Sequence, residues 1–241
     1  MTAFADDPIL AQLCDQTDHL LQSVNELTDD DVHRPSLLPG WTRGHVLSHL
    51  ARNADGLGNV ARSAVTGQVT PMYESAQARD AGIEAGAGRS ASELESDVES
   101  SAERFLALLA DVPPAQLDLE VPSGRGPTIQ VATLPWLRLR EVVYHHVDLA
   151  LGYTFADAPQ VVLRGGLGEC PGRLVDAGPG ARIAVTHPDG SVEDVVIGDG
   201  ARSLAGPAHA VLAWLTGRSD GAGVERVDAP EEALPTLPSW G

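Results

Sequence analysis

Along the first two thirds of the chain, apolar residues recur at helical spacing. Leu10, Leu13, Leu20, Leu21, Val24 and Leu27 predict an amphipathic helix over 8–27. The run "PGWTRGHVLSHLARNADGLGNVARSAVTG" opens at Pro39-Gly40 and closes at Gly67, which predicts a second, long helix over 39–67. Ser90 and Glu93 stand at capping-box spacing and start a third. It runs to about Ala110 with Leu94, Val98, Phe105 and Leu109 on one face, and Pro113-Pro114 stops it. A fourth helix is predicted over about 133–152, with Pro135 tolerated in its first turn. The polar, Gly-rich stretch 68–89 is too long for a simple turn and reads as a candidate functional loop. "PSGRGPT" (122–128) reads as a second loop.

Four long amphipathic segments predict an up-down bundle over 1–155. The pattern changes after "YTFADAPQ". One helix is predicted over about 160–176. "ARIAVTHPDGSVEDVVIG" then gives two β-like runs around Pro188-Asp189-Gly190, a hairpin signal. A last helix is predicted over about 206–217, and the Pro-rich tail "DAPEEALPTLPSWG" is expected to be extended. The expected class is therefore α+β: an N-terminal four-helix bundle and a smaller C-terminal α/β domain over 156–241.

Composition narrows the function. A formal net charge of −18 disfavours nucleic acid and anionic membrane, since neither gains counterion release from such a surface. An anionic small molecule needs a local cation instead. All 16 basic residues are Arg. Without lysine there is no Schiff-base or P-loop chemistry. No GxGxxG follows a strand, so a nicotinamide site is not indicated. Cys14 and Cys170 form no CxxC, and Cys14 reads as a buried small hydrophobe, so a thiol nucleophile would come from outside. With no apolar span and no signal-like N-terminus, the expected location is the cytoplasm, and a monomer is expected.

One stretch stands out as chemistry. "LRLREVVYHHVDLALG" places Glu141 and His145 one helical turn apart, so both reach a common point off one face. The second helix offers His45 and His49 at the same spacing. Facing helices are where bundles build metal sites, and imidazole and carboxylate suit zinc. His45, His49, Glu141, His145, His146 and Asp148 exceed what one ion needs; three ligands and an open position make a catalytic site.

"GWTRGHVLSHLARNADGL", "TPMYESAQARDAGI", "LREVVYHHVDL" and "LAWLTGRSDG" together resemble the mycothiol-dependent maleylpyruvate isomerase family, part of the DinB-like metal-dependent group. The resemblance runs over nearly the whole chain. It implies a DinB-like bundle, zinc held by His49, Glu141 and His145, and mycothiol as the external thiol. It also implies a catalytic Arg218 that binds a substrate carboxylate, with the C-terminal domain closing over the metal site. On spacing alone, Arg218 reads as a cation complementing a helix C-terminus. His45 becomes a spare histidine, and His146 is expected to pack or donate a hydrogen bond. Asp148 is either an acceptor behind a ligand imidazole or a solvated carboxylate. Met72 and Tyr73 line the thiol's sugars or anchor a loop.

The implied reaction converts maleylpyruvate to fumarylpyruvate. A thiolate adds to the cis double bond, the resulting single bond rotates, and elimination returns the thiol. Zinc either activates the thiol, the preferred role, or polarises the substrate carbonyl. A mycothiol S-transferase with the same site, and a non-catalytic DinB-like zinc protein with a closed four-ligand site, are the alternatives.

Overall fold

The computed structural model describes residues 3–124, 126–174, 180–235 and 237. They group into two compact units, Met1–Leu151 and Gly152–Gly241.

The N-terminal unit is built on four long helices: α1 (Pro8–Val24), α3 (Arg43–Thr66), α5 (Ala91–Ala110) and α6 (Leu134–Asp148). They close a ring in which α3 meets α5 and α6, and α1 meets α5 and α6. α3 is buried on most sides, from Val46, Leu47 and Leu50 to Val60 and Ala61. Each fully buried Leu or Val of this kind contributes about 1.5–3 kcal/mol. A short α2 (Asp29–Val32) precedes α3. Capping boxes start α3 at Thr42 and α5 at Ser90, the latter through Glu93 as its spacing predicts.

Two predicted loops contain structure. Within 68–89 lies α4 (Ala76–Ala87), capped by Ser75, whose hydroxyl accepts from the Ala78 amide at 3.0 Å. Its buried face is Ile83 with the small residues Gly86 and Ala87, which leave no continuous hydrophobic stripe. It lies close on α3: a Cβ at Gly44 would run into the Ala87 carbonyl. The stretch around "PSGRGPT" is a small antiparallel hairpin, β1 (Glu120–Pro122) with β2 (Thr128–Gln130); Arg125 lies outside the described residues.

α6 stops at Asp148, four residues before its predicted end. Ala150 takes a positive φ of 54°, which breaks the helical path. The freed carbonyls are met from α3, where Arg43 donates to Leu149 at 2.7 Å and to Ala150 at 3.2 Å.

The C-terminal unit holds a four-stranded mixed sheet in the order β4-β3-β5-β6. β3 (Ala181–Thr186) and β4 (Val192–Ile197) form the predicted hairpin, with Asp189 accepting from the Ser191 amide and hydroxyl in its turn. β5 (Arg202–Pro207) runs parallel to β3, and β6 (Glu225–Arg226) is antiparallel to β5. The two added strands carry Gly, Pro and charged residues and give no run in the sequence. α7 (Gln160–Leu174) and α8 (Ala208–Leu215) pack against each other, α7 also against β4 and α8 against β3 and β5. The predicted end of α7, at 176, lies outside the described residues. So do 236 and 238–241 of the tail, whose stretch 228–235 has no helix or strand. The class is the α+β one expected.

Candidate metal centre

α3 and α6 face each other near the middle of α3, and a buried arginine fixes their register. Arg138, 1% exposed, reaches from α6 and donates from Nη1 to the Leu50 carbonyl at 2.8 Å and to Asn53 Oδ1 at 2.9 Å. Burial lowers its affinity for a proton to a pKa of about 10, and the nearby Glu141 carboxylate opposes that shift. One turn beyond Arg138 comes Glu141, opposite His49.

His49, Glu141 and His145 converge. Their potential ligand atoms all lie within 4.8 Å of one another. His49 Nε2 is 2.9 Å from Glu141 Oε2, and His145 Nε2 is 3.5 Å from the same oxygen. The two imidazoles meet edge to face, 4.5 Å between centroids. A tetrahedral ion with donors at about 2.0–2.1 Å sets them roughly 3.3–3.4 Å apart, so small shifts accommodate one. Two nitrogens and a carboxylate oxygen fit zinc, with a position left for another ligand.

The electrostatics suit a cation. Burial alone would raise the Glu141 pKa, but hydrogen bonds from His145 and His49, and their charges, hold it well below the carboxylate range. Burial would lower the His145 pKa, yet hydrogen bonds to Asp148 and Glu141, with their negative charges, raise it. His49 is pushed down to about 4 by burial and by the charge of His145. The pair thus favours a positive charge beside the Glu141 carboxylate, which a bound metal would supply.

Residues around the triad set its orientation. Asp148, fully buried, takes His145 Nδ1 at 2.8 Å. That resolves its reading in favour of the acceptor behind an imidazole, which turns His145 Nε2 toward Glu141. The Trp41 ring lies 5.7 Å from that of His49. Arg140 brings a guanidinium within 3.7 Å of Glu141 Oε1. From α4, Arg79 Nη2 lies 3.2 Å from His49 Nδ1.

The other candidates fall elsewhere. His45 belongs to the cap of α3, with Nδ1 accepting from the Thr42 amide at 3.2 Å and Nε2 3.2 Å from Glu84. His146 is buried, its Nε2 2.9 Å from Ser23 Oγ. Met72 is buried and its amide donates to Pro122 at 2.9 Å, while the Tyr73 ring crosses Gly56 of α3 so closely that a Cβ there would lie 2.9 Å from it. These contacts hold the loop against β1 and α3. Arg218 follows α8 in the C-terminal unit and donates from Nη1 to the Thr216 carbonyl at 3.0 Å. Cys14 is half-buried rather than fully buried, because α1 turns it toward the edge of its packed face; Cys170 is buried. Sequence reasoning passed over Arg79, Arg138 and Trp41. Arg79 lay within the quoted "TPMYESAQARDAGI", in a stretch read as loop.

A helical unit with a two-His, one-Glu centre, followed in the chain by an α/β unit, defines a class of possible metal-dependent proteins. Residues 13–150 match the family model for the mycothiol maleylpyruvate isomerase N-terminal domain, and the chain belongs to that family. It is similar over 100% of both chains to a solved mycothiol-dependent maleylpyruvate isomerase, with 30% identity and a TM-score of 0.85. A histidine-to-alanine mutant of the mycothiol-dependent maleylpyruvate isomerase matches over 100% of both chains at 29% identity and a TM-score of 0.84. No curated protein matches the chain. Among the described residues no helix is long and apolar enough to cross a membrane.

Proposed function

We propose that the protein is a zinc- and mycothiol-dependent cis-trans isomerase that converts maleylpyruvate to fumarylpyruvate. The observation that carries this reading is the convergence of His49, Glu141 and His145 in a chain similar over its full length to such an isomerase. These three residues would hold the metal. When bound, zinc would keep the mycothiol sulfur as the thiolate that adds reversibly to the double bond.

The chain's own side chains prepare the site. Glu141 supplies the anionic ligand, and Arg138 keeps it opposite His49 by tying α6 to α3. Asp148 fixes the ring of His145. Burial of His49 keeps its imidazole neutral at physiological pH, the charge state in which histidine serves as a metal ligand. Neither cysteine competes with the external thiol, for burial pushes Cys170 up to about 12, and burial with Asp18 and Asp15 raises Cys14. Arg218 is assigned a carboxylate of the dianionic substrate. Met72 and Tyr73 are assigned to the approach of the mycothiol sugars.

The test is maleylpyruvate absorbance with zinc-loaded protein, with and without mycothiol. The reading predicts turnover only with the thiol. Absence of turnover with metal and thiol both present would contradict it.

A further inference from the structure

We infer that Arg79 is a substrate-positioning residue of this centre: a cation that leaves His49 when metal binds and takes a carboxylate of the ligand. The inference deepens the proposed function and rests on its reading of the substrate as a carboxylate.

Arg79 occupies the buried face of α4, in helical register with Ile83, Gly86 and Ala87. Close docking of α4 on α3 brings its side chain, 13% exposed, to His49. Nη2 lies 3.2 Å from His49 Nδ1, Nη1 lies 2.8 Å from Asp80 Oδ1, and Nε is buried with no hydrogen-bond partner among the described residues. Asp80 is 66% exposed, which makes that ion pair weak.

A guanidinium only donates, so Nδ1 of His49 must accept and its proton must sit on Nε2, facing Glu141. A metal on Nε2 displaces that proton. A neutral imidazole then carries hydrogen on Nδ1, and two donors oppose each other across 3.2 Å. The contact must break. Arg79 is left beside the metal as a largely desolvated cation with an unfilled donor, and a buried charge needs a counter-anion. A carboxylate that reaches the metal's open side meets the forked geometry that guanidinium recognises. In a chain of net charge −18 this is local attraction for a dianion, within the same unit as the metal ligands.

The experiment measures binding without turnover. Zinc affinity and then maleate affinity, the latter on zinc-loaded protein, are titrated calorimetrically for wild type, Arg79→Met and Arg79→Lys. Arg79→Met is expected to weaken maleate about tenfold or more, the loss of a charge-assisted hydrogen bond, with Arg79→Lys recovering part of it. Zinc is expected to bind Arg79→Met as tightly as wild type or more tightly. Unchanged maleate affinity in Arg79→Met, no maleate binding by wild type, or weaker zinc binding without Arg79 each overturns the inference, the last by making Arg79 a support for His49. Wild type that binds maleate through Arg79 but fails to isomerise maleylpyruvate would overturn the proposed reaction and leave this residue's role intact.

Discussion

Removing the charge behind His145 should cost metal affinity without dismantling the site. Asp148 is fully buried and takes His145 Nδ1 at 2.8 Å, so its carboxylate sets both the direction and the basicity of the ligand ring. Asp148→Asn keeps the volume and one acceptor oxygen but removes the charge. Losses of about tenfold to a hundredfold in metal affinity are typical of such partners, or roughly 1.4–2.7 kcal/mol. Asp148→Ala should lose more. It strands a buried imidazole N–H, which costs about 1–3 kcal/mol, and frees the ring to turn. Asp148 also strengthens the proton's hold on His145, and that effect opposes metal binding. The titration is therefore run at about pH 8.5, above the ordinary histidine range, to reduce proton competition. Zinc affinity is measured by competition with a chromogenic chelator, with near-ultraviolet circular dichroism as the check on folding. The expected order is wild type, then Asn, then Ala. A folded Asp148→Asn variant that binds zinc within about twofold of wild type would refute the reasoning, since the effect worked out here is at least several times larger.

Other consequences are as direct. The double variant Cys14→Ser/Cys170→Ser should keep its mycothiol-dependent turnover, and native Cys170 should resist alkylation at neutral pH until the protein unfolds; loss of turnover would place the nucleophile in the chain. Arg218→Ala should lose most activity while retaining stoichiometric zinc, measured by metal analysis after dialysis; metal loss would contradict its assignment to the substrate. Asp189 is held below the ordinary carboxylate range by hydrogen bonds from Ser191 and Gln160, so its contribution to the β3–β4 turn is present above about pH 4 and lost as pH falls below it. Thermal melts should show a wild-type advantage over Asp189→Ala at pH 6 that shrinks at pH 3, and a constant difference would argue against that origin.

What the sequence made legible follows from how strongly each element is constrained locally. Glu141 and His145 could be paired on sight because one helix fixes the geometry of residues four apart. Their meeting with His49 depends on how two helices pack, which spacing does not determine, and there the family resemblance supplied the link. α4 escaped because Ile83 is the one large apolar residue on its buried face beside Gly86 and Ala87, so close approach to α3 replaces the hydrophobic stripe that marks a helix. Arg79 was lost with it. Asp148 was undecided because an aspartate in a last helical turn is equally consistent with solvent; only the path of the chain through Leu37, whose amide donates to the Asp148 carbonyl at 2.9 Å, and Arg43 shows that this helix end is covered. β5 and β6 lack alternation, and their place in the sheet comes from pairing, β5 with β3 and β6 with β5, rather than from their own composition.

The most direct measurement is a count of turnovers per thiol. Zinc-loaded protein is given maleylpyruvate with a tenth of an equivalent of mycothiol, and substrate, product and free thiol are followed by proton NMR. The account predicts complete conversion to the trans product with all of the mycothiol recovered. Conversion that stops when the mycothiol is exhausted, with the sulfur held in a stable adduct, would make the protein a transferase and contradict the isomerase.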